Sequence, residues 1–192
     1  MDRRNLSSLV WAMVLAFWLV GLAQAAEFSA VTVTKVGNLE QQGKLYVKSE
    51  KARQEFSTSG GITTAILRQD KKVMWVLMPG QKAYMEMPFD KESFAKALNI
   101  PTEGASKKFL GIETLKGYET EKYETTAKLG THEVKSIMWI SKKLGIPLRI
   151  ESLDKSFAQD YDIQEGRVDD GLFEMPAGYR KMAMPAGMPG MK

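Results

Sequence analysis

Most of this chain alternates with period two and is cut at short intervals by turn residues, a pattern that suits antiparallel strands and not helices. Phe28 to Val36 sets Val31 and Val33 on one face, and Gly37-Asn38 ends the run. Gly43 to Lys48 follows, then Lys51 to Ser57 and Ile62 to Leu67 flank Gly60-Gly61, and Lys72 to Met78 leads through Pro79-Gly80 into Lys82 to Met87. Tyr118 to Thr126, Val134 to Ser141, Pro147 to Ser152 and Phe157 to Gln164 continue the series, with Gly117, Gly130 and Gly145 at the breaks. Successive hairpins of this kind make a meander. The predicted fold is mainly β: a strongly curved antiparallel sheet, or half-open barrel, of about ten strands.

One stretch breaks the alternation. In Phe89 to Phe94, Asp90 is a cap, Glu92 stands in the positive first turn, and Phe89 can staple onto Phe94. The predicted helix runs to about Asn99 with a narrow apolar stripe of Phe94, Ala97 and Leu98, which must lie on something apolar. A second, shorter helical piece is read over Ser106 to Leu110, giving one or two short lid helices on the sheet.

The first 25 residues read as a secretory signal: Arg3 and Arg4 open it, Leu9 to Ala23 is apolar, and Ala23-Gln24-Ala25 fits a signal peptidase site. The apolar run is shorter than the ~20 residues of a membrane span. The sequence therefore predicts a signal over 1–25, one domain over 26–181 and a disordered tail rich in Met, Pro and Gly over 182–192, in a periplasmic protein without stable membrane insertion. With no Cys, an exported fold holds by burial and backbone pairing alone, and thiol redox chemistry is excluded. The formal net charge of +4 is too mild to argue for nucleic acid.

Val73-Met74-Trp75-Val76-Leu77-Met78 is apolar at every position, so both of its faces must be covered, whereas an antiparallel strand normally keeps one face wet. Tyr84, Met85 and Met87 follow, and Ile137-Met138-Trp139-Ile140 repeats the unbroken apolar character. Two readings stay open. The residues are core, or they line a cavity for a flexible hydrophobic ligand, with Trp75, Leu77, Met85, Met87, Phe94, Leu98 and Trp139 as candidate lining residues.

The stretches Gly43 to Lys48, Gln69 to Trp75 with Pro79 after it, Met138 to Pro147 and Leu172 to Tyr179 resemble the periplasmic outer-membrane lipoprotein carrier (LolA-like) superfamily, closest to an uncharacterised bacterial exported family within it. The resemblance covers about Phe28 to Met182 and specifies fold better than function. It implies an incomplete antiparallel barrel with helices as a lid over an apolar concave face that shelters acyl chains. Carriers place a helix before the first strand, and follow the strand matching Leu45 to Lys48 with an arginine and a proline. Here the first strand starts at about Phe28, immediately after the predicted cleavage site, and Ser49-Glu50 stand where carriers have the arginine and proline, so the carriers' release switch does not transfer.

Catalytic and metal motifs are weak. The single His132 has no Ser or Cys motif to activate. Asp160, Asp162, Asp169 and Asp170 form an acidic stretch, yet a calcium loop needs Gly where Glu165 stands. The tail methionines suit Cu(I) as soft ligands, but their spacing alone is also plain low complexity. The sequence therefore predicts a non-enzymatic periplasmic binding protein, without a cofactor, for a lipid or lipoprotein acyl chain, with a place in envelope lipid or lipoprotein trafficking. The alternative is an envelope protein-interaction or sensor module that uses the same curved sheet without a small ligand.

Overall fold

A computed structural model describes residues 27–58, 61–89, 106–129 and 132–183. Twelve strands form one sheet in the order β12-β6-β5-β4-β3-β2-β1-β11-β10-β9-β8-β7. The first half is the meander β1 (Glu27–Val36), β2 (Leu39–Lys48), β3 (Lys51–Thr58), β4 (Gly61–Arg68), β5 (Val73–Met78) and β6 (Ala83–Pro88). The second is β7 (Ser106–Leu115), β8 (Tyr118–Leu129), β9 (His132–Ser141), β10 (Pro147–Ser152) and β11 (Phe157–Glu165), with the short β12 (Arg180–Lys181) at the end. Turn chemistry explains the hairpins: Gly37 (φ 57) turns β1 into β2, and Lys116 (φ 52) with Gly117 (φ 82) gives β7 to β8 the doubly left-handed turn that matches strand twist.

The halves meet where β1 pairs with β11 from Phe28↔Glu165 to Val36↔Phe157. The sheet is curved and open, not closed into a barrel. Two sequence expectations need correction. Among the described residues there are twelve strands and not about ten, because Ser106–Leu115 pairs with β8 and the C-terminal Arg180–Lys181 pairs with β6. Ser106 to Leu110 is accordingly not helical: it begins β7, where Phe109 lies opposite Tyr123. The predicted helix over 90–99, with Phe94 and Leu98, lies outside the described residues.

Cross-strand register sorts the side chains into two faces, because residues opposed across paired strands point the same way and neighbours along a strand point oppositely. One face carries the main core: Phe28, Leu45, Val47, Ala52, Leu67, Met74, Leu148 and Tyr161, with Phe89 and Met87 packed beside them. We call this core-bearing face the concave face and its opposite the convex face. The convex face of β2–β6 is covered by the segment 166–183, which crosses it as a strap. Phe173, 0% exposed, is the strap's anchor and packs with Val168 against Ile66, Trp75 and Leu77.

Candidate functional site

The strap explains the strand that is apolar throughout. Met74 and Val76 face the core, opposite Met87 and Met85, while Trp75 and Leu77 face the strap, opposite Glu86 and Tyr84. The sheet thus separates the sequence candidates: Trp75 and Leu77 lie on the convex face, Met85 and Met87 on the concave one. Trp75 is closed in. Its Nε1–H donates to Glu86 Oε2 at 3.0 Å, and Lys71 Nζ stands 5.6 Å from its ring. Lys181 of the strap reaches the same carboxylate at 2.7 Å, and with Trp75 it holds Glu86 below the usual carboxylate range.

Ion pairs fix the strap along its length. Arg68, its side chain 5% exposed, donates to Phe173 O at 3.2 Å, to Glu174 Oε1 at 2.5 Å and to both oxygens of Asp70. Arg53 donates to Leu172 O, and Lys48 to Val168 O. Lys48 and Lys51 converge on Asp170 at 2.8 and 2.9 Å, and their hydrogen bonds hold its carboxyl down at about 2. Members of the acidic stretch are therefore spent on internal pairs, Asp160 being bound by Arg149 at 2.8 Å.

Trp139 points to the side opposite Met138, because Trp139↔Arg149↔Asp160↔Val33 runs in register from β9 to β1; towards the hairpin end of β8 that side carries Tyr118, which packs on the main core. Its Nε1–H donates to Glu113, and Lys122 Nζ sits 4.8 Å from its ring. The neighbour Met138 is the one that points inward. From it a strip crosses the concave face of the second half: Phe109 opposite Tyr123, Tyr123 opposite Met138, Met138 opposite Ile150. Tyr123, Met138 and Ile150 are half-buried. Phe109 and Ile112 are 53% and 56% exposed. A β-bulge lets both share this face: the register skips Leu110, so Phe109 meets Tyr123 and Ile112 meets Glu121, two residues apart on β8. Gly111 (φ 143) takes the backbone conformation the bulge requires.

The middle of the concave face is polar. Thr32, Gln54 and Gln159 are buried there, and Gln54 Oε1 borders a depression of about 20 Å³ without a hydrogen-bond partner. A larger depression of about 430 Å³ lies on β1, β2 and β11, lined by Val31, Lys44, Tyr46 and Asp162 among others. Val31, Lys44, Tyr46 and Asp162 lie in register on the face opposite the main core, and the lining mixes charge with apolar surface. His132 is the first residue of β9, opposite Leu129. Among the described residues no three His, Asp or Glu side chains are grouped to hold a metal ion, and no helix is long and apolar enough to cross a membrane.

Residues 30–160 match the model of a family described as a domain of unknown function, DUF4412. The chain belongs to that family. No curated protein matches it in sequence. Among solved structures it is similar to an uncharacterized conserved protein from Thermus thermophilus, at 12% identity and a TM-score of 0.58, over 91% of this chain and 98% of that one. It is also similar to MucB in the Pseudomonas aeruginosa MucA/MucB complex, at 12% identity and a TM-score of 0.54, over 90% of this chain. The match spans 64% of that chain. A LolA superfamily protein from Nitrosomonas europaea matches at 12% identity and a TM-score of 0.34, over 85% of this chain and 96% of that one. The family is one of unknown function, in agreement with the uncharacterised bacterial family that the sequence resembles.

Proposed function

We propose that this chain is an exported, non-enzymatic binding protein of the bacterial envelope that receives a hydrophobic group, a lipid or a lipoprotein acyl chain, on the concave face of β7–β10. The strip of Phe109, Ile112, Tyr123, Met138 and Ile150 carries this reading, because among the described residues no other element covers it: Phe109 and Ile112 stand exposed, and only Lys107 Nζ caps the Tyr123 ring, at 3.8 Å. Met138 and the flat aromatic rings suit a flexible chain. Met85 and Met87, which face the same side from the first half, keep a place in this proposal; Trp75 and Leu77 take the role of core beneath the strap.

Native mass spectrometry of protein purified from its own periplasm, together with binding of a fluorescent long-chain acyl probe, tests it. Copurified lipid, and probe binding weakened by Met138→Glu, support the reading. A clean apo mass with no probe binding sinks it. A second reading, an envelope protein partner held on the same surface, is favoured by the open form of the strip and by the fold shared with MucB, which was solved in complex with MucA. Under that reading the probe does not bind, and crosslinking in the periplasm captures one protein through a photoreactive residue placed at position 109.

A further inference from the structure

The two edges of the sheet are finished differently. On one side β12 pairs with β6 in parallel, Arg180 N–H donating to Lys82 O at 3.0 Å and Met182 N–H to Tyr84 O at 2.8 Å. On the other side β7 ends the sheet with no further strand among the described residues. It is a long edge, Ser106–Leu115, and three large apolar side chains stand exposed on it, Phe109, Leu110 and Ile112. A bare apolar edge of this kind is a template for strand pairing.

The geometry points to a second copy of this chain as its occupant, joined edge to edge through an antiparallel β7–β7 pair about a two-fold axis. The bulge makes β7 complementary to itself. Before it, Phe109 faces inward and Lys108, opposite Glu124 on β8, faces outward; after it, Ile112 faces inward and Glu113, opposite Thr120, faces outward. One antiparallel register therefore matches every face at once. Lys108 lies opposite Glu113 of the second copy on the convex side, and Phe109 lies opposite its Ile112 on the concave side. Leu110 meets Gly111, where no side chain stands in the way. The two-fold axis repeats each pair, as an isologous interface must. Opposed charges and an aromatic set against a β-branched residue are both favourable cross-strand pairs. Without the bulge Phe109 and Ile112 would lie on opposite faces, and no register could pair them. The joined edges also bring the two concave strips side by side. This inference goes beyond the binding proposal and is tested on protein free of lipid, so the two fail separately.

Analytical ultracentrifugation of the full mature chain across a wide dilution series reads the dimer directly. Wild type dimerises in a concentration-dependent way, since one strand pair buries less than a standard interface of ~1,600 Å². Lys108→Glu and Glu113→Lys each set like charges opposite one another twice, raising the dissociation constant about tenfold. An equimolar mixture of the two variants restores both ion pairs and recovers the wild-type constant, as does the double variant. Glu113→Lys also removes the acceptor of the Trp139 bond, so recovery in the mixture, not weakening by that variant alone, is the deciding result. A monomer at every concentration overturns the inference, and so does a dimer that neither variant weakens or a mixture that fails to recover.

Discussion

Phe173→Ala tests whether the strap is an integral layer of the fold. The ring is 0% exposed and packs on Ile66, Trp75 and Leu77, and truncating a fully buried phenylalanine costs ~3–5 kcal/mol. That is the ceiling. The strap can leave the sheet without the sheet unfolding, so the loss in global stability is the smaller of this value and the strap's own docking free energy. Docking also rests on the hydrogen bond from the buried Arg68 to a strap carbonyl, and bonds from charged donors are worth ~1.5–3 kcal/mol, with Arg53 and the more exposed Lys48 as further tethers. With those tethers intact, Phe173→Ala should lower the urea midpoint while accelerating hydrogen exchange most strongly over 166–183 and along β6, whose edge β12 covers. Trp75 emission should shift to the red as its ring is uncovered, and Trp139, on distant β9, should not respond. A cost under ~1 kcal/mol with exchange in 166–183 unchanged would refute the reasoning, since such values belong to surface substitutions.

Three further outcomes follow from the same contacts. Asp170 titrates at about 2, held down by Lys48 and Lys51, and Glu174 is lowered chiefly by Arg68; depressed carboxylates stabilise above their unfolded values of 3.8 and 4.5 and lose that contribution as pH falls through the folded ones. Acid titration from pH 5 towards 2 should therefore release the strap, read as a Trp75 red shift preceding loss of the strand signal in circular dichroism. Gly43→Ala should destabilise by ~1–3 kcal/mol, measured by urea unfolding, because its Cβ would stand 2.5 Å from Glu55 O and 2.7 Å from Thr32 Oγ1. N-terminal sequencing of the periplasmic protein should begin at Ala26, and full-length chain in inner-membrane fractions would overturn the signal reading.

The strands were legible in the sequence because period-two alternation and left-handed turn residues are local signals. Pairing of Lys51 to Ser57 with Ile62 to Leu67, and of Tyr118 to Thr126 with Val134 to Ser141, follows from them. Their allocation to faces was not legible. Trp75 reads as apolar in an apolar run, and nothing in that run tells a ligand from a strap held over 90 residues away by Phe173 and Glu174. Ser106 to Leu110 reads as helical and is instead the start of β7, because a bulge between Phe109 and Gly111 interrupts the period-two alternation by which the other strands are recognised.

That ambiguity has a physical consequence for how this sheet is partitioned. A curved sheet has one concave face, and the first half fills its share with Leu67, Met74 and Met87, so the apolar surplus of β4 and β5, Ile66, Trp75 and Leu77, is left on the convex side. The strap covers that surplus, and its arginine and lysine tethers hold an otherwise loop-like segment in place. The second half has no corresponding strap among the described residues. Trp139 is instead sheltered by Lys122, Arg149 and Glu113 along its own face, while Met138, Tyr123 and Phe109 stay partly open on the other. Among the described residues burial is thus completed from within the chain on β2–β6 and left incomplete on β7–β10, which is why the proposed binding surface is placed on the second half.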